Sequence, residues 1–164
     1  MPTPQKNIKT QESSQGIKPV SLIIWSIIIA LQIAAGYGLF YLLRILLIPA
    51  EITNSGAFVK IMAVLILSFA IAAWIIGLIG LWVIRKSKPT KVGFRLLTAL
   101  GLALIPVLIL AYLGNTVGFD DLSIFNEIVV GKMIPYYTNL TMVMSILGFY
   151  LSEWFSKVVK PKKK

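Results

Sequence analysis

Four long apolar runs, at roughly 20–48, 58–84, 96–113 and 133–155, leave this chain few ways to fold. A helix rises about 1.5 Å per residue and a bilayer core is about 30 Å thick, so ~20 apolar residues make a crossing. Each run holds a stretch near or above that length. With 57% hydrophobic and 13% charged residues, a domain in water would expose large apolar patches. The expected fold is therefore an all-α membrane protein, with four transmembrane helices in a compact bundle. The transmembrane domain is expected over 19–156. A disordered cytoplasmic tail (1–18) and a basic cytoplasmic tail (157–164) flank it. Residues 1–18 are polar, and the apolar run after them is too long for a signal-peptide core, so an uncleaved signal-anchor is expected.

The distribution of charge sets an orientation. Of 16 basic residues, Lys6, Lys9, Lys18, Arg85, Lys86, Lys88, Lys91, Arg95, Lys157, Lys160, Lys162, Lys163 and Lys164 fall on one side of a chain that crosses four times. Arg44, Lys60 and Lys132 fall on the other, with Glu51, Asp120, Asp121 and Glu127. The positive-inside rule then makes both termini and the middle loop cytoplasmic. Trp25 suits the cytoplasmic interface, and Tyr37 and Tyr41 the outer one. The basic face, here Arg85, Lys86, Lys88, Lys91, Lys162, Lys163 and Lys164, is expected to touch anionic lipid headgroups. A net charge of +10 does not point to nucleic acid, because no aromatic residues are interleaved with these lysines and no glycine loop cradles phosphate.

Cysteine and histidine are both absent. That removes disulfides, thiolate chemistry, iron–sulfur clusters, imidazole ligands and the commonest general base. Acidic residues are missing from the middle of every run, and Asp120 and Asp121 are adjacent, so on a helix their side chains diverge. Glu153 is placed to pair with Lys157 one helical turn later. Catalytic, cofactor and metal sites are therefore not expected, and neither is enzymatic activity.

Packing is more legible. Ser26, Ala30, Ala34 and Gly38 repeat every fourth residue in the first run, a stripe that lets another helix approach closely. The second run carries a seam of Ala63, Ala70, Ala73, Gly77 and Gly80. The fourth carries Thr138, Thr141, Ser145, Gly148 and Ser152 at steps of three and four, a single helical face. Gln32, Ser68, Thr98, Asn139, Thr141 and Ser145 are expected to hydrogen-bond between helices. Pro106 frees the Leu102 carbonyl near the middle of the third run and is expected to kink it. Arg44 is expected to snorkel to headgroups, the alternative being a pair with Glu51 beyond Pro49.

The second outer loop, 114–132, is the longest connection. Phe119, Leu122, Phe125, Ile128 and Val129 follow helical spacing there, and Asp120 or Asp121 can cap the first turn. A short amphipathic helix on the outer surface is expected, with Phe119, Leu122, Phe125 and Ile128 as a possible partner contact.

These features favour a non-catalytic accessory, scaffold or assembly subunit of a larger membrane complex. Its expected partners are membrane lipids, including anionic headgroups, and other membrane proteins. The alternatives are a self-assembling pore, similar in composition to phage holins, a small-solute transporter, or a lipid-interacting regulator. A plasma membrane or an internal energy-transducing membrane would suit either orientation argument.

Overall fold

The computed structural model describes residues 19–48, 54–85, 91–118 and 121–158. They are almost entirely helical, with α1 at Pro19–Leu47, α2 at Ser55–Arg85, α3 at Val92–Val117, α4 at Leu122–Phe125 and α5 at Ile134–Val158. A π-helical segment, Asn126–Met133, joins α4 to α5 without a break. The portions 22–47, 55–85 and 92–117 are long and apolar enough to cross a membrane. The fourth long helix, α5, has 25 residues but gives part of its length to Thr138, Asn139, Thr141, Ser145 and Ser152.

Local chemistry explains where the helices stop. The Ile48 N–H closes the last turn of α1 on the Arg44 carbonyl at 3.0 Å, and Pro49 follows, which disfavours helical backbone before it. Asn54 caps α2, its Oδ1 accepting from the Ala57 N–H at 2.8 Å. Gly118 ends α3 with φ 75°, a conformation that glycine adopts without steric cost. α3 continues through Pro106, whose ring is fully buried.

Each long helix runs antiparallel to the next, as the cross-contacts require. Gly80 faces Ile28 and Gly36 faces Phe69 between α1 and α2; Gly114 faces Phe58 between α2 and α3; Gly148 faces Thr98 and Ala99 between α3 and α5. Both α2 and α5 touch the other three long helices, while α1 and α3 do not meet. Near the α1–α2 turn, the core is built on Phe40, Phe58, Leu65, Phe69, Leu110 and Phe125. Toward the other end it narrows to Ala70, Leu81, Ala99 and Phe149. In several places an aromatic ring occupies the space a glycine leaves open, as Phe149 does over Gly77.

The antiparallel order gathers Arg85, Lys91 and Arg95 at one end of the bundle and Arg44, Lys60 and Lys132 at the other. Aromatic residues mark the same two levels. Trp25, Trp82 and Trp154 lie toward the first end, and Tyr41, Tyr112 and Tyr136 toward the second. Except for half-buried Trp25, all of these are exposed. At 1.5 Å per residue the two levels are ~24 Å apart along α1 (Trp25 to Tyr41) and ~27 Å apart along α5 (Tyr136 to Trp154).

The connection between α3 and α5 departs from expectation. Its described part is a lead-in to α5, not a separate helix lying on the surface. Asp121 supplies the cap, its Oδ1 accepting from Ser123 N at 2.9 Å and Ile124 N at 3.2 Å. The turn it sets aims Phe125 inward onto Phe58, with centroids 5.6 Å apart in a T-shaped arrangement. Phe125 and Val129 are fully buried, Ile128 is half-buried, and Leu122 stays exposed. Phe125 is thus core, not a free partner contact; Phe119 lies outside the described residues. Proline explains the π geometry: Pro135 has no N–H to donate, and its ring crowds the carbonyl four residues back, which a widened turn relieves.

Candidate functional site

Polar side chains gather at three levels of the bundle. At the basic end, Glu153 of α5 lies between two arginines. Arg95 Nη2 donates to its Oε1 at 2.7 Å, and Arg85 donates through Nη1 at 2.7 Å and Nη2 at 3.3 Å. Arg85 and Glu153 are partly exposed, whereas the Arg95 side chain is 2% exposed. Arg95 also donates to Ser152 Oγ at 3.2 Å and the Phe149 carbonyl at 3.5 Å, with its guanidinium 5.3 Å from the centre of the Phe149 ring. A buried guanidinium needs such a set of acceptors, because removing it from water costs several kcal/mol (order of magnitude). Next to it, Lys91 donates to Ser156 Oγ. Lys91 holds the left-handed backbone conformation, φ 57°, at the start of α3, which costs a non-glycine residue roughly 1–2 kcal/mol.

This arrangement revises the reading of the basic face. Glu153 pairs with Arg85 and Arg95 from two other helices. Arg95, which sequence places among the loop charges, is instead a core residue. Arg85 is engaged with Glu153 as well as being half exposed, and Lys91 is engaged with Ser156. Lys86, Lys88, Lys162, Lys163 and Lys164 lie outside the described residues.

At mid-depth, Gln32 is 1% exposed and ties three helices together. Its Nε2 donates to the Ala73 carbonyl of α2 at 2.8 Å, and its Oε1 accepts from the Tyr150 hydroxyl of α5 at 3.2 Å. The hydroxyls of Thr138, Thr141, Ser145 and Ser152 donate to carbonyls of their own helix. These residues and Gly148 are all buried, as are Ala70, Ala73, Gly77 and Gly80, whereas Ala63 is exposed.

The stripe on α1 is placed differently. Ser26, Ala30, Ala34 and Gly38 are all exposed, and a Cβ built at Gly38 would meet nothing within 4 Å. The buried row is Ile28, Gln32, Gly36 and Phe40, two positions round the helix. Both rows have the same four-residue spacing. The second wins because Gln32 finds a carbonyl there and Gly36 makes room for the Phe69 ring.

At the far end, α1 and α5 part to leave a cleft of about 220 Å³. Tyr37, Phe40, Tyr41 and Arg44 line one wall, and Val130, Ile134, Pro135, Thr138 and Asn139 the other. The Tyr37 hydroxyl donates to Asn139 Oδ1 across it. The described residues contain no group of His, Cys, Asp or Glu able to hold a metal ion. No family model, curated protein or solved structure matches the chain.

Proposed function

We propose that this is a four-span, non-catalytic membrane subunit that assembles with other membrane helices through the outward row of α1. The observation that carries this reading is that row itself. Ser26, Ala30, Ala34 and Gly38 form a face of small side chains on the helix that packs least of its surface inside the chain. Membrane helices associate where small residues let backbones approach, since lipid gives no hydrophobic drive toward contact. The hydroxyls of α5 lend support, because Thr138, Thr141, Ser145 and Ser152 each bond a carbonyl of their own helix and Tyr150 bonds Gln32.

The fourth crossing is assigned to α5. Its Tyr136 and Trp154 stand at the same two levels as the aromatic residues of its neighbours, a spacing suited to the two interfaces of a bilayer. The end carrying Arg85, Lys91 and Arg95 is assigned to the cytoplasmic side, and with it both termini. A pore is the weaker reading, because Leu65, Phe69 and Phe149 fill the interior of a single chain.

The experiment is mild detergent extraction of tagged chain from its own membrane, followed by native electrophoresis and mass spectrometry of what travels with it. Wild type is expected in a defined larger assembly. Ala34→Leu and Gly38→Leu enlarge the open face without touching the chain's own core, and are expected to release it. Migration of the wild type as a free monomer would defeat the proposal.

A further inference from the structure

The cleft between α1 and α5 is lined by hydrogen-bond donors that the fold itself does not use. Arg44 is half-buried in the last turn of α1, and among the described residues its guanidinium has neither an ion pair nor a hydrogen bond. Asn139 accepts the Tyr37 hydroxyl on its oxygen, which leaves both amide hydrogens to donate. Tyr41 adds a hydroxyl to the same wall. Among the described residues no acidic side chain lines the space; Glu51 lies outside them. Donors with a fixed positive charge and no carboxylate suit an anion, and a guanidinium suits the paired oxygens of a phosphate.

The surroundings narrow the choice of anion. Asn139 also borders a shallow groove of about 250 Å³ with Tyr136, Leu140 and Val143, which runs from the cleft down the side of α5. An anionic head in the cleft would thus have an apolar track for a hydrocarbon tail. The exposed Leu42 and Ile45 of α1 and Tyr136 of α5 place the cleft beside lipid-facing surface.

We propose that this cleft is a binding site for one anionic phospholipid. Arg44 and Asn139 hold the phosphodiester, and an acyl chain follows Tyr136, Leu140 and Val143. The site lies at the end opposite the basic cluster, so it is separate from any general attraction of the lysines to acidic lipid. It is also independent of which proteins, if any, dock on α1.

The test is native mass spectrometry of the purified full chain in detergent, with phosphatidylglycerol, phosphatidylcholine or inorganic phosphate added. Wild type is expected to retain one phosphatidylglycerol through activation that strips the other lipids, in preference to phosphatidylcholine. Arg44→Gln should weaken that retention about tenfold or more, the range of a lost charge-assisted hydrogen bond. Asn139→Leu should weaken it less. Lys60→Gln removes the same charge from the same end but outside the cleft, and should change nothing. Thermal unfolding of Arg44→Gln without lipid should match wild type, which separates binding from folding. Equal retention by Arg44→Gln, or equal loss in Lys60→Gln, would overturn the site. Competition by inorganic phosphate as effective as the lipid would show a free-anion site instead.

Discussion

Glu153 serves two arginines of very different exposure, and the difference decides what each is worth. Arg85 is 51% exposed, so its pair with Glu153 is screened and contributes under about 1 kcal/mol. Arg95 is enclosed, and taking the carboxylate away removes the ion pair that compensates a buried charge. Glu153→Gln should therefore destabilise the protein by roughly 2 kcal/mol, below the usual cost of breaking a buried pair because Ser152 and the Phe149 carbonyl remain. Arg85→Gln should cost under about 1 kcal/mol. Thermal unfolding in one detergent compares them, and equal losses would show that burial of Arg95 does not matter. Little of this was legible in the sequence. Arg95 stands within a run of basic residues, and only tertiary contact brings Phe149, Ser152 and Glu153 to it. The one local sign is the spacing of Ser152 with Gly148 on α5, which could be seen as a face but not matched to its partner.

Along an element, glycines divide into those that are filled and those that are open. A Cβ at Gly148 would lie 2.9 Å from the Ala99 Cα, a backbone atom that cannot step aside unless α3 and α5 separate. Gly148→Ala is expected to cost about 1–3 kcal/mol, the range for overpacking a close contact. Gly38→Ala meets open space and adds helix propensity, so it should be neutral or stabilising by up to about 1 kcal/mol. Unfolding midpoints of the two variants should move in different directions; a shared loss would mean that the outer face of α1 is packed. Hydropathy located all four long helices, because apolar runs of that length have few alternatives. The buried side of α1 was not so visible, since two rows of equal spacing compete and contacts with α2 choose between them. The connection before α5 misled for a similar reason: from Leu122 onward the chain is helical, but it is a lead-in whose Phe125 points inward.

For the whole molecule, the absence of cysteine makes orientation simple to measure. Single substitutions Ser87→Cys, in the α2–α3 connection, and Ser123→Cys, at the start of α4, introduce one thiol each on opposite ends. In intact cells a membrane-impermeant maleimide should label Ser123→Cys and spare Ser87→Cys until the membrane is opened. The reverse pattern would invert the assigned topology, and labelling of both would deny that the chain separates two compartments.

The tryptophan and tyrosine levels described above are closer together than the roughly 30 Å of an ordinary hydrocarbon core. A bilayer that took both levels as its edges would pinch inward around the molecule, or the bundle would settle where shorter or more disordered chains already make the sheet thin. Elastic strain of this kind is shared when two pinched patches merge. Lipid deformation would then draw this chain toward neighbours of the same height before any side chain on α1 made contact.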